Sequence, residues 1–284
     1  LDSVKTLIKD YPDEPLLYNI SGVCYKAIDK LDAAVESFEK ALAIKPDYTE
    51  VCFNLGVTLK ELGQPDTAVK CYKKAITLKP DYTDAHYNLG NAFKELGQLD
   101  DAIKSYEQAL AIEPGYADAC NNLGVTLQEL DQLDAAVKCY KQAVAIKPDY
   151  IDAHNNLGVV LVQLGQLDDA VKSYKQAIAV RPDYAEAHNN LGNALKDLGQ
   201  HDAAINCYEK ALALKPDFAD AYYNLGNTFK DLAQLDEALA SYESAIALNP
   251  DLDYVFNDYL DTKMHLGIWE DDLASRISEL TKKI

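Results

Sequence analysis

Apolar residues recur with helical spacing along most of the chain, and this pattern itself repeats every 34 residues. A glycine within Asn-Leu-Gly stretches and a proline further along both keep that interval. Each unit is numbered here so that position 8 is the glycine and position 32 the proline. The seven units are residues 15–48, 49–82, 83–116, 117–150, 151–184, 185–218 and 219–252.

Each unit is predicted to form two helices. Helix A covers about positions 1–14 and ends at a glycine in most units, while helix B opens at an aspartate expected to be the N-cap and stops at the proline. Positions 20 and 27 are always alanine, and position 24 is always aromatic. Since no single unit can bury its apolar face alone, the pattern predicts an all-α solenoid, a right-handed superhelix of antiparallel helix pairs.

The two ends depart from the repeat. Residues 1–14 are predicted to be a truncated repeat that retains only helix B, with Pro12 in register at position 32. Residues 253–284 lose the small residues but keep a helical apolar spacing at Leu273, Ile277, Leu280 and Ile284. We expect this segment to form C-terminal capping helices, anchored by Trp269, and to be a joint to a downstream domain.

Composition excludes several classes of function. With 46 acidic and 27 basic residues the formal charge is −19, which disfavours nucleic acid and anionic membrane surfaces as partners. No apolar run is long enough to cross a bilayer, and we expect a cytoplasmic protein.

The sequence indicates neither a catalytic site nor a metal-binding site. The six cysteines form no CxxC pair, and His86, His154 and His188 fall at position 4, on the predicted packing face. No nucleophile constellation or phosphate loop is present. We therefore predict no metal, no cofactor and no catalytic domain in this chain.

Asparagine at position 6 is the most informative polar feature. A helical wheel puts positions 4, 7, 8 and 11 on the packing face and positions 2, 5, 6, 9, 12 and 13 on the concave wall. The row comprises Asn54, Asn88, Asn122, Asn156, Asn190 and Asn224. One interpretation is that these carboxamides hold adjacent repeats together. The other is that they pair with the backbone of an extended peptide, whatever its side chains are.

Charged residues flank this row. Position 2 carries an acid in six units, and position 12 carries a lysine in five. The residues considered for groove selectivity are Glu50, Asp84, Asp118, Asp152, Glu186, Asp220, Lys60, Lys94, Lys196 and Lys230. Each could simply be a solvated charge with a helical neighbour. Together they would favour hydroxyl and basic side chains in a bound peptide and repel acidic ones.

The pattern of period, glycine, alanines, aromatic and proline resembles the tetratricopeptide (TPR) repeat. Within that class, the position-6 asparagines, the position-2 acids and the stretch LDTKMHLGIWEDDLASRISEL at 260–280 resemble the N-terminal arm of O-linked N-acetylglucosamine (O-GlcNAc) transferases and their bacterial relatives. The resemblance implies an arm that binds protein acceptors for a glycosyltransferase domain beyond Ile284. The alternative is a free-standing scaffold that assembles other proteins. Oligomerisation is possible in either case.

Overall fold

The computed structural model describes residues 1–268, which form sixteen α-helices and no strand. The helices are α1 (Asp2–Asp10), α2 (Pro15–Ala27), α3 (Leu31–Ile44), α4 (Thr49–Glu61), α5 (Pro65–Leu78), α6 (Thr83–Glu95), α7 (Leu99–Ile112), α8 (Ala117–Glu129), α9 (Leu133–Ile146), α10 (Ile151–Gln163), α11 (Leu167–Val180), α12 (Ala185–Asp197), α13 (His201–Leu214), α14 (Ala219–Asp231), α15 (Leu235–Leu248) and α16 (Asp253–His265). The predicted all-α solenoid of helix pairs is therefore confirmed.

The chain divides into two compact units, Leu1–Pro148 and Asp149–Ile284. In the first, the A helices of the repeats are α2, α4, α6 and α8; in the second they are α10, α12 and α14. Each A helix packs on the B helix that follows it in its own repeat. Within each unit, that B helix also packs on the next A helix. The shared core predicted for stacked repeats is formed in this way.

A glycine and an aromatic ring hold the two helices of each repeat close together. A Cβ atom built on Gly192 would lie 2.5 Å from Cε1 of Tyr208, and one on Gly158 would lie 2.5 Å from the same atom of Tyr174. Tyr208 is fully buried, as are the alanines at positions 20 and 27 of every repeat. Only glycine leaves room for the ring at this crossing, which explains why position 8 never varies.

The turn between helices A and B needs a left-handed residue at position 15. Gly63, Gly97, Gly165 and Gly199 occupy it with φ of 70°, 71°, 70° and 73°, as predicted from their place after helix A. In three repeats the same conformation is adopted by Asp29, Asp131 and Ala233, with φ of 57°, 58° and 56°. Ala233 has neither the freedom of glycine nor a polar side chain to stabilise this conformation.

The prediction that helix B is N-capped by aspartate is wrong. In repeat 2, helix α5 begins at Pro65 with Gln64 as its N-cap, and the cap makes no side-chain hydrogen bond. Asp66 is the second residue of the helix. The aspartate at this position therefore acts through its charge at the positive end of the helix dipole, without capping a backbone amide.

The ends of the described chain are single helices. Helix α1 packs on α2, and α16 packs on α15. Within the described part of the chain, no helix is both long and apolar enough to span a membrane. Trp269, Leu273, Ile277, Leu280 and Ile284, which we expect to complete the cap, lie outside the described residues.

Candidate functional site

The position-6 asparagines lie half-buried on the A helices, and most of them bond to the preceding repeat. Asn54 donates from Nδ2 to Oδ1 of Asn19 at 3.2 Å. In the second unit, Asn190 donates to Asn155 at 3.1 Å and Asn224 donates to Asn189 at 3.0 Å. Asn156 also has a partner. The first interpretation was that these carboxamides hold adjacent repeats together. It describes their nitrogen atoms, which donate to the preceding repeat.

The acceptors of these bonds all stand at position 5 of the preceding repeat. The helical wheel placed position 5 on the concave wall, yet Asn19, Asn155 and Asn189 are 5%, 9% and 6% exposed. That assignment is wrong because position 5 lies at the border of the packing face, where the next repeat covers it. The signal that could have revealed it was the pair Asn-Asn at positions 5 and 6 in repeats 4, 5 and 6.

Repeat 3 differs because its predecessor has Phe53 at position 5. With no acceptor there, Asn88 donates to the backbone carbonyl of Asp84 in its own helix, at 2.8 Å. In repeat 4, Asn122 donates to the Tyr87 hydroxyl and to Oδ1 of Asn91, both at 3.0 Å. The row is therefore regular in position but not in its hydrogen bonds.

A second polar row, missed at the sequence level, stands at position 9. Asn91, Asn193 and Asn227 accept from the hydroxyl groups of Tyr106, Tyr208 and Tyr242 at 2.8, 2.8 and 2.7 Å. Position 9 in repeat 4 is valine, and there the Tyr140 hydroxyl donates to Gln128 at position 12 instead, at 3.0 Å.

In repeat 2 the tyrosine at position 24 finds an acceptor at neither position 9 nor position 12. Position 9 is Val57 and position 12 is Lys60, and the buried hydroxyl of Tyr72 has no hydrogen-bond partner. Burial raises the pKa of Tyr72, and Glu61 and Glu95 raise it further, so the hydroxyl stays protonated. It is therefore a buried donor without an acceptor.

The position-12 lysines pair with acids of the next A helix in some repeats only. Lys26 contacts Glu61 at 3.0 Å and Lys94 contacts Glu129 at 3.2 Å. Lys230 contacts Asp258 and Asp261 of α16 at 3.1 and 2.8 Å. Lys60 and Lys196 form no ion pair within residues 1–268. Some lysines of this row therefore link adjacent A helices, and the others form no ion pair within residues 1–268.

The position-2 acids lie at the edge of the A helices, beside the aromatic residue at position 34. Glu186 pairs with Lys215 at 3.1 Å. A backbone hydrogen bond and this lysine lower the pKa of Glu186. Asp84 accepts from the Tyr116 hydroxyl at 3.4 Å. All position-2 acids except Glu186 are exposed, so they remain available to a ligand.

A shallow, open pocket of about 470 Å³ lies across three consecutive A helices of the first unit. Its lining residues, all polar, come from α4, α6 and α8: Lys60, Asn91, Lys94, Glu95, Asn122 and Glu129. The structure thereby brings together three of the predicted site residues, Lys60, Lys94 and Asn122. The pocket offers donors and acceptors side by side, which suits a neutral polar group such as an amide.

His86 and His188 contact the backbone, and Cys71 is a partly buried thiol. Nε2 of His86 and of His188 lies 2.9 Å from the carbonyl oxygen of Pro80 and of Pro182, which closes the junction between repeats. Burial raises the pKa of the Cys71 thiol to about 11, so it is not a thiolate near neutral pH. No group of three or more His, Cys, Asp or Glu residues could hold a metal ion anywhere in residues 1–268.

Helix hairpins of fixed length, locked by a position-8 glycine against a position-24 aromatic, define a tetratricopeptide array. Residues 24–63 match a TPR repeat model, and residues 49–249 match the model of the cilia and flagella-associated protein 70 C-terminal domain. The second match spans more than half of the chain, which therefore belongs to that family of TPR domains. It is a scaffold of the protein-interaction class. No curated protein matches the chain.

Solved structures give the same fold. A crystal structure of MamA is 28% identical, with a TM-score of 0.55, over 58% of this chain and 97% of MamA. YrrB, described as a TPR protein with an unusual peptide-binding site, is 24% identical over 67% of this chain and 98% of its own, with a TM-score of 0.59. The Cut9–Hcn1 structure is 17% identical over 91% and 51%, with a TM-score of 0.62. The last two likenesses show the fold alone.

Proposed function

We propose that the A helices bind extended polypeptide segments through their exposed polar rows. The observation that carries this proposal is the pocket across α4, α6 and α8, an opening of about 470 Å³ lined only by polar and charged residues. An extended backbone is recognised through repeated donors and acceptors, which residues of this kind supply.

The asparagine row supports the proposal even though its donors are partly used. In Asn54, Asn190 and Asn224, Nδ2 bonds to the preceding repeat, while Oδ1 has no hydrogen bond within the described residues. A free carboxamide oxygen accepts from a peptide N–H. Tying the nitrogen to the neighbouring repeat also fixes the side-chain rotamer, which reduces the entropy lost when the ligand binds.

The exposed position-2 acids supply selectivity. Asp84, Asp118 and Asp220 stand about one turn from the asparagine of the same helix, where they face the side chains of a ligand lying on the row. They favour basic and hydroxyl side chains and repel acidic ones. Because they are exposed, each contributes little alone, and the preference should weaken as salt rises.

A peptide array probed with the chain tests this function. We expect broad binding that tolerates scrambled sequence and falls as Asp or Glu is added to the peptides. Asn88→Ala should weaken binding and leave the thermal midpoint unchanged or slightly raised, because Asn88 bonds only to its own helix. A strict sequence motif, or binding equal to wild type in the variant, would contradict the backbone-binding mechanism.

A narrower proposal is that the chain is the acceptor-binding arm of an O-GlcNAc-transferase-like glycosyltransferase. It rests on the position-6 asparagines with their position-2 acids, and none of the matched families and structures described above is a glycosyltransferase. The test is whether the gene encodes, past Ile284, an α/β domain that binds a nucleotide sugar. Without such a domain, the chain acts as a free-standing TPR scaffold.

A further inference from the structure

The pocket in the first unit contains one ammonium and one carboxylate that no protein group neutralises. In the repeats on either side, the position-12 lysine and the next position-13 glutamate pair, as in Lys26–Glu61 and Lys94–Glu129. The equivalent residues here, Lys60 and Glu95, line the same pocket but form no ion pair within the described part of the chain. The pocket therefore presents a free cation and a free anion.

Asn91 adds a donor. Its Oδ1 already accepts from the Tyr106 hydroxyl at 2.8 Å and from Asn122 Nδ2 at 3.0 Å. Burial raises the pKa of Tyr87, and the NH₂ group of Asn91, which acts as a donor toward the Tyr87 hydroxyl, lowers it in part. The second hydrogen of this NH₂ group remains for a ligand. A ligand in the pocket thus meets two donors, the Lys60 ammonium and the Asn91 amide, and one acceptor, the Glu95 carboxylate.

The buried, unpartnered hydroxyl of Tyr72 belongs to the same repeat as Lys60. Its counterpart Tyr140 reaches the position-12 residue of its own repeat, at 3.0 Å, and in repeat 2 that residue is Lys60. An unsatisfied buried donor destabilises the folded state. Repeat 2 is therefore the one described repeat in which both the tyrosine and the lysine at this site lack protein partners.

We propose that this pocket, defined by Lys60, Asn91 and Glu95, takes the carboxamide side chain of a Gln or Asn in the bound polypeptide. The inference rests on the proposed function. The ligand oxygen accepts from Lys60 and Asn91, and the ligand NH₂ group donates to Glu95. A carboxylate would be repelled by Glu95 and an ammonium by Lys60, while an apolar side chain would leave both charges without a partner.

Four synthetic peptides test the proposal directly. They consist of Gly, Ser and Arg and differ only in one central residue: Gln, Glu, Lys or Leu. Affinity for the whole chain is measured by fluorescence anisotropy. We expect the Gln peptide to bind about fivefold more tightly than the other three, an effect of the size of one typical net hydrogen bond.

Two single substitutions should switch this preference. Glu95→Gln leaves a cationic pocket, so the Glu peptide should become the tightest ligand. Lys60→Gln leaves an anionic pocket, so the Lys peptide should become the tightest ligand of that variant. The matched control is Glu61→Gln, which makes the same change at the same repeat position outside the pocket and should preserve the Gln preference.

The outcomes separate this inference from the function beneath it. Equal binding of all four peptides, or an unchanged preference in both pocket variants, would overturn the carboxamide pocket and leave polypeptide binding intact. If none of the peptides binds, both the pocket and the proposed function fail.

Discussion

Repeats 6 and 7 hold their position-6 asparagines differently from repeat 3. Asn190 and Asn224 each bond to a buried asparagine of the preceding repeat, whereas Asn88 bonds to its own backbone. The same residue at the same position therefore links two repeats in one region and is held only by its own helix in the other. What differs is position 5 of the preceding repeat, which is asparagine before repeats 6 and 7 and Phe53 before repeat 3.

The position-6 asparagines therefore have two separable roles, a hydrogen bond between repeats and a contact with the ligand. Where the nitrogen is tied, replacing the residue changes both stability and any ligand contact. Where it is not, replacement changes the ligand contact alone. Repeat 3 is therefore the place to test binding, and repeats 6 and 7 are the place to test stability.

The largest effect is expected where all repeats are alike. Gly192→Ala would place a Cβ 2.5 Å from the buried Tyr208 ring, and we expect a loss of about 3 kcal/mol in the free energy of unfolding. Denaturant unfolding measures it. Gly115→Ala is the control, because a Cβ there meets nothing within 4 Å. Equal effects of the two changes would disprove the glycine–aromatic lock.

The tie itself is tested by Asn224→Ala. This change leaves Oδ1 of Asn189, a residue 6% exposed, without its donor, and should cost about 1–3 kcal/mol. Asn88→Ala removes only a bond within its own helix, and should be neutral or stabilising by about 0.5 kcal/mol because alanine is the better helix former. Similar thermal shifts in both variants would break the comparison.

A smaller gain is expected when the unsatisfied hydroxyl in repeat 2 receives a partner. Val57→Asn recreates the bond that Tyr106 makes to Asn91 and should raise stability by about 1 kcal/mol. The matched change Val125→Asn, in repeat 4, should bring no such gain because Tyr140 already donates to Gln128. Stabilisation of both variants by the same amount would point to a general effect of asparagine.

The smallest effect concerns the turn of repeat 7. Ala233→Gly relieves an alanine held at φ 56°. It should raise the free energy of unfolding by about 0.5–1 kcal/mol, and with it the thermal midpoint. Gly97→Ala makes the reverse change at the equivalent site, where φ is 71°, and should lower it. Loss of stability in Ala233→Gly would show that this turn is not strained.

Sequence alone could predict the helix pairs and the close packing at position 8, because period and residue size determine them locally. It also predicted which rows lie on the A helices. It could not predict where each Asn nitrogen points, since that depends on a residue in the preceding repeat, such as Asn189 for Asn224. The wheel misplaced position 5 because a single helix does not show how the next repeat covers its border.

The A helices, in the function proposed here, hold the backbone of an extended polypeptide. Equivalent helices lie about 10 Å apart and an extended chain rises about 3.3–3.6 Å per residue, so backbone contacts should recur about every three residues. The most direct test is an N-methyl scan of one array-selected peptide, with affinity measured at each position. We expect affinity to fall when roughly every third amide is N-methylated, and to change little when side chains are replaced by alanine. Affinity that ignores N-methylation but collapses on side-chain substitution would contradict it.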